Sequence, residues 1–154
     1  ASPVDGATRL GLTPSLASSV FSDPDGDGHS ASQWQVTATQ GDYSSPTFDS
    51  GVDTANLIQI TLPVGLLVHS RTYYWRVRHQ DSQSAWSNWS VETGFTTRNK
   101  PGDVDGNGVV DLADLMAVAA AFNSKPPLDP AADLNGDGVV DILDLTEAGL
   151  NFGR

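Results

Sequence analysis

Three short stretches of the chain alternate acidic or amide side chains with glycine: DPDGDG (23–28), DVDGNG (103–108) and DLNGDG (133–138). Such stretches bring several oxygen atoms close to one point, and oxygen is the ligand that hard divalent cations prefer. The second and third stretches belong to a longer pattern, because DVDGNGVVDLADLMAVAAAFN aligns with DLNGDGVVDILDLTEAGLNFG when Asp103 is placed over Asp133. The chain therefore contains a tandem repeat built around candidate metal ligands.

Each repeat supplies the oxygen pattern of an EF-type calcium loop. That loop uses side-chain oxygens at positions 1, 3, 5, 9 and 12, a backbone carbonyl at position 7 and glycine at position 6. The first loop offers Asp103, Asp105, Asn107, Val109, Asp111 and Asp114, and the second offers Asp133, Asn135, Asp137, Val139, Asp141 and Asp144. Position 12 is aspartate in both loops, where the usual motif has glutamate. The pattern predicts two bound calcium ions.

A helix is predicted after each loop and none before it. The apolar residues that follow the loops are spaced for one helical face. They are Leu112, Leu115, Val118, Ala119 and Phe122 in the first repeat, and Ile142, Leu145, Ala148 and Phe152 in the second. The prolines of KPPLDPAA (125–132) exclude a helix ahead of the second loop. Each repeat is therefore a loop–helix unit, which is half of an EF-hand.

Two such units in tandem, with aspartate at position 12, resemble a dockerin. The resemblance implies a small, non-catalytic α domain that binds the cohesin module of a scaffoldin or surface protein in the presence of calcium. It also implies a secreted parent that degrades polysaccharides. Family members contact their partner through loop positions 10 and 11, which are Leu112, Ala113, Ile142 and Leu143 here.

These four positions are not expected to act alike. We expect Leu112 and Ile142 to pack the two helices together, and Ala113 and Leu143 to contact the partner. Leu143 stands where the first repeat has the small Ala113, which predicts that the two halves are not equivalent toward a partner.

Residues 1–98 predict an all-β sandwich. Short alternating runs separated by turn residues predict strands near 16–21, 33–39, 46–49, 57–62, 71–79 and 91–96, with a weak edge strand near 8–12. LVHSRTYYWRVR (67–78) resembles the corner and following strand of a fibronectin type III domain, an immunoglobulin-like fold, with Tyr73 as the tyrosine corner and Leu67 beneath it.

WSNWS (86–90) resembles the WSxWS box of cytokine-receptor members of that family. The resemblance implies a structural ladder in which Arg76 and Arg78 stack between Trp86 and Trp89. The alternative is that the two tryptophans form a platform for carbohydrate.

DPDGDG does not fit the EF pattern, because position 9 is Ala31 and position 12 is Trp34. The three neighbouring carboxylates still repel one another unless a cation neutralises them. In immunoglobulin-like sandwiches the loops around 23–28 and 80–86 lie at the same end. The hypothesis is therefore a third, weaker metal site, formed by Asp23, Asp25, Asp27 and Asp81, and the alternative is a solvated turn.

Composition limits the function classes. The net charge of −11 excludes a nucleic-acid footprint and an electrostatic membrane anchor. The charge is unevenly distributed along the chain, with a net charge of −3 over residues 1–100 and of −8 over residues 101–154. No apolar run reaches the length of a membrane span. There is no cysteine, and the three histidines (29, 69 and 79) lack metal-ligand spacing to one another.

No nucleophile or nucleotide motif is present in the sequence, so no catalysis is expected. The predicted organisation is a sandwich at 1–98, a linker at 99–102 and a dockerin at 103–154. We expect an extracellular or cell-surface, non-catalytic C-terminal part of a larger enzyme. Two alternatives remain: a calcium-stabilised structural end-cap without a cohesin, and a carbohydrate-binding sandwich.

Overall fold

The computed structural model describes all 154 residues and divides into two compact units, Ala1–Arg98 and Asn99–Arg154. Residues 99–102 fall within the second unit. No helix in the structure is long and apolar enough to cross a membrane.

The first unit is a sandwich of two β-sheets. Its strands are β1 (Ala7–Leu10), β2 (Ser15–Ala17), β3 (His29–Thr37), β4 (Phe48–Asp49), β5 (Gln59–Thr61), β6 (Thr72–Asp81) and β7 (Thr93–Thr97). The larger sheet has the order β1-β7-β6-β3-β4, and β2 pairs with β5 in the smaller sheet. All pairings are antiparallel except that of β1 with β7. This arrangement confirms the predicted immunoglobulin-like fold.

The core of the sandwich follows the period of two that the sequence shows. In β6 the inward residues Tyr73, Trp75 and Val77 are buried, and they belong to the same cluster as Trp34 of β3. The rings of Trp34 and Trp75 stack with centroids 5.9 Å apart. Burial of these large side chains is a major part of the hydrophobic stabilisation of the unit.

Tyr73 forms the predicted tyrosine corner. Its hydroxyl accepts a 3.1 Å hydrogen bond from the backbone N–H of Val68. Leu67 is buried in the same core cluster. This contact fixes the turn that leads into β6, and it confirms the expectation from the sequence.

The strand bounds differ most from the predicted ones at β2, which ends at Ala17 and not near residue 21, and at the start of β3. That strand begins at His29, ahead of the predicted start at 33, because its pairing with β6 continues to the end of that strand. His29 is opposite Asp81, and the register shifts before Ala31. Alternation alone did not show this extension, because Ser30 and Ser32 lack the hydrophobic signal of a buried strand.

Serines of WSNWS pair with the part of β6 that β7 leaves uncovered. The N–H of Ser90 donates to the carbonyl of Val77 (2.8 Å), and the Ser90 hydroxyl accepts from the N–H of Val77 (3.1 Å). Ser87 makes the same two contacts with His79, at 2.9 and 3.0 Å. Side-chain oxygens thus replace the carbonyls of a regular neighbouring strand.

The second unit contains two short helices, α1 (Leu112–Ala120) and α2 (Ile142–Leu150). Both begin with a capping box. Asp111 and Asp141 are the N-caps, and Asp114 and Asp144 at the third helical position accept from the N-cap backbone. No helix precedes either loop, which confirms the predicted loop–helix units.

A small apolar core lies between the two repeats. It consists of Val118, Ala121, Ala132, Val140 and Ala148, with Val104, Leu115, Leu134 and Leu145 packed against it. Two pairs of backbone contacts tie the repeats together. Val110 contacts Gly153 and Arg154, and Val140 contacts Asn123 and Ser124. The two pairs occupy equivalent positions of the two repeats, so the unit has internal pseudo-twofold symmetry.

Candidate functional site

Three carboxylates of the first loop converge. The oxygens of Asp103, Asp105 and Asp114 all lie within 4.8 Å of one another, and they form the only group of three or more acidic or histidine ligands in the chain that does so. Asp103 and Asp114 are buried, while Asp105 is exposed. Buried carboxylates are costly unless hydrogen bonds or a cation compensate them.

Asp114, at position 12, receives backbone hydrogen bonds from both sides of the loop. One oxygen accepts from Val104 (2.7 Å) and Asp105 (3.1 Å), and the other accepts from Asp111 (2.8 Å). Burial would raise the pKa of the Asp114 carboxyl, but these N–H donors outweigh it and hold the pKa below its ordinary value. The carboxylate is therefore charged at neutral pH.

The second loop repeats this arrangement. Asp144 accepts from Leu134 (2.8 Å), Asn135 (3.2 Å) and Asp141 (2.8 Å), and its pKa is lowered for the same reason. Position 3 is Asn135 in place of an acid, and position 5 is Asp137 in place of Asn107. Asp133 accepts from the N–H of Gly138 (3.0 Å), as Asp103 does from Gly108 (3.0 Å).

The donor chemistry of both loops fits calcium. The predicted side-chain ligands carry only carboxylate and amide oxygens, which a hard cation prefers. Gly108 and Gly138 at position 6 have φ of +92° and +86°, which side chains rarely adopt. The remaining predicted ligands lie on the same loops: Asn107, Val109 and Asp111 in the first, and Asp137, Val139 and Asp141 in the second.

Each helix presents an uncharged outer face. On α1 the exposed residues are Leu112, Ala113, Met116, Ala119 and Ala120; on α2 they are Ile142, Leu143, Thr146, Gly149 and Leu150. The two sets occupy equivalent positions of the two repeats. Ala113 and Leu143, the predicted partner contacts, lie on these faces. Met116 and Leu150 extend them, and they were not among the predicted contacts.

Leu112 and Ile142 do not pack the helices together, which corrects the sequence-based expectation. They are 63% and 59% exposed, and both lie on the outer faces. Position 12 of each loop explains this. Asp114 and Asp144 turn inward to accept the loop N–H groups, and residues two positions apart on a helix face opposite sides.

The predicted apolar stripe is also rotated from the observed one. The buried positions of α1 are Asp114 and Val118, followed by Ala121 after the helix. Ala119 is exposed, and Phe122 and Phe152 are 40% and 50% exposed. The buried face of α1 is centred on Asp114, a predicted calcium ligand, and the hydrophobic pattern of the sequence does not identify such a position.

The DPDGDG stretch forms a loop between β2 and β3. Asp23 accepts from the N–H groups of Asp25 (2.8 Å) and Asp27 (3.2 Å). The Asp81 carboxylate instead accepts hydrogen bonds from the N–H groups of Gln83 and Ala85, which lie in its own loop. Asp27 is near that loop through the Ser82 hydroxyl (3.2 Å), so the two loops do share one end of the sandwich. The four carboxylates do not form a converging group of three.

A ladder of stacked aromatic and guanidinium groups covers the outer side of β6. The guanidinium carbon of Arg76 lies 3.8 Å from the ring centre of Tyr43 and 4.2 Å from that of Trp89. That of Arg78 lies 4.7 Å from Trp89 and 4.4 Å from Trp86. This confirms the predicted ladder and adds Tyr43, which the sequence analysis missed because it lies far from the WSxWS box.

Hydrogen bonds anchor the two arginines from the side of β3. Arg76 donates two bonds to the side-chain carbonyl of Gln35, and Arg78 donates two to that of Gln33. Both glutamine amides donate to Asp49, at 2.7 and 2.8 Å. The guanidinium groups are therefore fixed against the indole faces, which favours the structural role over a carbohydrate platform.

Comparison with protein families assigns both units. The model for the Rha78A-like, N-terminal immunoglobulin domain matches residues 13–97, which is more than half of the chain. The chain belongs to this family. Residues 101–147 match the dockerin type I domain. The chain is thus an immunoglobulin-like domain followed by a dockerin, as the sequence resemblance indicated, and both are non-catalytic domains.

Solved structures resemble the immunoglobulin-like part. The α-L-rhamnosidase of Dictyoglumus thermophilum aligns with a TM-score of 0.54 and 20% identity over 61% of this chain and 11% of that chain. The Streptomyces avermitilis α-L-rhamnosidase complexed with L-rhamnose aligns with a TM-score of 0.46 and 26% identity, over 62% of this chain and 10% of that chain. The fibronectin(III)-like modules of Clostridium thermocellum CbhA align with a TM-score of 0.44 and 11% identity, over 64% of this chain and 92% of that chain.

The chain therefore spans about a tenth of the length of the rhamnosidases that it matches. The D. thermophilum likeness supports the fold of the sandwich. No curated protein sequence matches the chain.

Proposed function

We propose that this chain attaches a larger secreted enzyme to a cohesin module through its dockerin, and that binding requires calcium. The dockerin match implies a cohesin partner. The observation that carries the proposal is the pair of equivalent, uncharged outer faces on α1 and α2, each of which begins directly after an acidic loop. Such apolar faces on a small acidic unit indicate an interaction surface.

Calcium has a positional role in this proposal. One ion is held by Asp103, Asp105, Asn107, Val109, Asp111 and Asp114, and the other by the equivalent residues of the second loop. Because Asp111 and Asp141 are also the helix N-caps, ions bound at the loops orient the first turn of each helix. Leu112, Ala113, Ile142 and Leu143 lie on those first turns.

The test measures binding to a panel of purified cohesin modules, in calcium and in excess chelator. The variants are Ala113→Asp, Leu143→Asp and the double variant, and Leu128→Asp is the control because Leu128 is 82% exposed outside both faces. An unpaired charge buried at an interface costs about 2 kcal/mol or more. We therefore expect at least a tenfold loss of affinity from the face that binds.

The single variants also identify the repeat that faces the cohesin. A loss of cohesin affinity in only one single variant assigns the contact to the helix that carries it. A loss in the double variant alone means that either helix face can bind the cohesin. Binding that persists in chelator, or that neither single nor double variant changes, contradicts the proposal.

The alternative function is a calcium-stabilised end-cap without a cohesin. It is supported by the same loops, because metal binding stabilises small acidic units. It predicts that chelator unfolds the dockerin while no cohesin of the panel binds in calcium. Circular dichroism of the same samples separates the two functions, since a folded dockerin that binds nothing favours the end-cap.

We also propose that the parent protein is a glycoside hydrolase located outside the cell or on its surface. The support is the combination of a dockerin with a domain of the Rha78A-like family, whose fold is also present in a rhamnosidase. Expression of the parent gene product and assay of culture supernatant and envelope fractions on plant polysaccharides tests both parts.

A further inference from the structure

The segment that precedes the first loop, residues 99–102, covers part of that loop. The ammonium group of Lys100 donates a 3.1 Å hydrogen bond to the carbonyl of Gly108, at position 6 of the loop. The side chain of Asn99 lies against Gly106, because a β-carbon built on that glycine would be 3.2 Å from the Asn99 amide nitrogen. Two neighbouring side chains of this segment therefore contact the backbone of the first loop.

The second loop lacks this cover. The positions equivalent to Asn99 and Lys100 in the second repeat are Asp129 and Pro130. Proline has no side-chain donor, so the bond from an ammonium group to the loop cannot form there. At Gly136, the equivalent of the covered glycine, an added β-carbon would meet no atom within 4 Å. The two loops therefore differ in what lies against them.

The flanking segments also differ in charge, whereas the two ligand sets do not. Each set contains four aspartates and one asparagine among its predicted side-chain ligands. Residues 99–102 (NKPG) have a net charge of +1, and the equivalent residues 129–132 (DPAA) have a net charge of −1. A fixed cation beside a site repels a divalent ion that binds there, and an anion attracts it. Both differences weaken calcium binding at the first loop relative to the second.

We propose that Lys100 lowers the calcium affinity of the first loop, so that the second loop fills first as calcium rises and the first loop fills at a higher concentration. This rests on the calcium-binding part of the proposed function and does not involve the cohesin. Because each helix begins within its loop, the outer face of α2 is then fixed at a lower calcium concentration than that of α1.

The sign of the effect separates this electrostatic role from a structural one. If the bond from Lys100 to Gly108 served only to shape the loop for calcium, its removal would weaken calcium binding. Removal of a repelling charge strengthens calcium binding instead. One unit charge at the edge of a solvated site changes the affinity for a divalent ion about 2- to 5-fold at low ionic strength. Salt screens this effect, since the Debye length falls to about 3 Å at about 1 M.

The test follows each loop separately by NMR of the isotope-labelled full chain, with free calcium set by a chelator buffer. The backbone N–H groups of Gly108 and Gly138 report on their loops, because each donates to the first aspartate of its own loop. We expect the Gly108 signal to reach its midpoint at a higher free calcium concentration than the Gly138 signal. Lys100→Met should lower the Gly108 midpoint about 2- to 5-fold and leave the Gly138 midpoint in place.

Two variants and a salt series are the controls. Lys100→Arg keeps both the charge and a donor, so it should leave both midpoints unchanged. Lys125 is the other lysine of the chain and is exposed outside both loops, so Lys125→Met should leave the Gly108 midpoint in place. The shift caused by Lys100→Met should disappear in about 1 M potassium chloride.

The proposal is overturned if Lys100→Met raises the Gly108 midpoint or leaves it unchanged, if the shift persists at high salt, or if Lys125→Met causes an equal shift. It is also overturned if the two loops of the unmodified chain fill together, or if the first fills before the second. If neither glycine signal responds to calcium, the calcium part of the proposed function fails with it. If both respond and only the effect of Lys100→Met is missing, this inference alone fails.

Discussion

The backbone N–H of Gly153 donates a 2.7 Å hydrogen bond to the carbonyl of Val110, and so joins the segment after α2 to the first loop. The equivalent bond, 2.8 Å long, joins Asn123 to Val140. Each loop is thus held by a residue that follows the helix of the other repeat. Each loop is therefore joined to the other repeat by hydrogen bonds, although the two repeats are separate in sequence.

Both of these donor residues adopt a left-handed backbone, with φ of +62° at Asn123 and +74° at Gly153. A β-carbon on Gly153 would meet no atom within 4 Å, so only backbone conformation limits substitution there. We expect Gly153→Val to destabilise the dockerin by about 1–2 kcal/mol.

Gly153→Asn is the control, because asparagine occupies the equivalent place in the first repeat. Both variants are melted in saturating calcium and followed by helix circular dichroism. Equal melting temperatures for the two variants would contradict the argument.

Calorimetric titration of chelator-treated protein is expected to show two calcium ions per chain. Asp114→Ala and Asp144→Ala should each remove one of them, because position 12 closes the loop from its far end. Circular dichroism of each variant checks that the other helix still forms. Two ions retained in either variant would remove position 12 from the ligand set.

The same titration tests the third acidic stretch. Asp25→Ala should leave the count at two if the DPDGDG loop binds no metal. A third ion that disappears in Asp25→Ala would establish the site proposed from Asp23, Asp25, Asp27 and Asp81.

Trp89 lies between the guanidinium groups of Arg76 and Arg78, whereas Trp86 stacks on the guanidinium group of Arg78 and not on that of Arg76. Each guanidinium–indole contact is worth about 0.5–2 kcal/mol. We therefore expect Trp89→Leu to cost the immunoglobulin-like unit about twice as much stability as Trp86→Leu, measured by denaturant unfolding with fluorescence of the remaining tryptophans. Equal costs would mean that the ladder adds nothing beyond buried area.

His29 and His79 make the stability of the sandwich depend on pH. Burial lowers the pKa of both side chains, and the neighbouring His29 lowers that of His79 further. The unfolded chain therefore takes up protons first as the pH falls below about 6.5. Their contribution is complete above that pH and is lost as the pH falls through the lower pKa values of the folded state.

Thermal unfolding at a series of pH values from neutral to mildly acidic, followed by tryptophan fluorescence, checks this. The melting temperature should fall with pH in the unmodified chain. It should fall less in the double variant His29→Gln, His79→Gln. An unchanged slope in that variant would assign the effect to other groups.

The sequence predicted those features that a local pattern encodes. The tandem repeat indicated two loop–helix units, and the alternation of Tyr73, Trp75 and Val77 indicated the buried side of β6. The spacing of Arg76 and Arg78 indicated the ladder. In each of these cases a regular spacing along the sequence determines which side of the strand, loop or helix the side chains occupy.

Features that depend on contacts between distant segments were not predicted. Hydrophobicity alone places Leu112 in the core, because it does not show that Asp114 must turn inward. Tyr43 joins the ladder from the loop between β3 and β4, far from Arg76 in the sequence. The pairing of Val110 with Gly153 requires the fold of both repeats at once.

The serines of WSNWS have a consequence for an assembled protein. Beyond the end of β7, the N–H and carbonyl groups of Val77 and His79 are occupied by Ser87 and Ser90. An exposed strand edge is a template for pairing with another chain and for aggregation. A scaffold that gathers many copies of such a chain would bring these edges to high local concentration. The Ser87 and Ser90 hydroxyls occupy this part of the β6 edge, so in such an assembly it would not be free to pair with the β-sheet of a neighbouring copy.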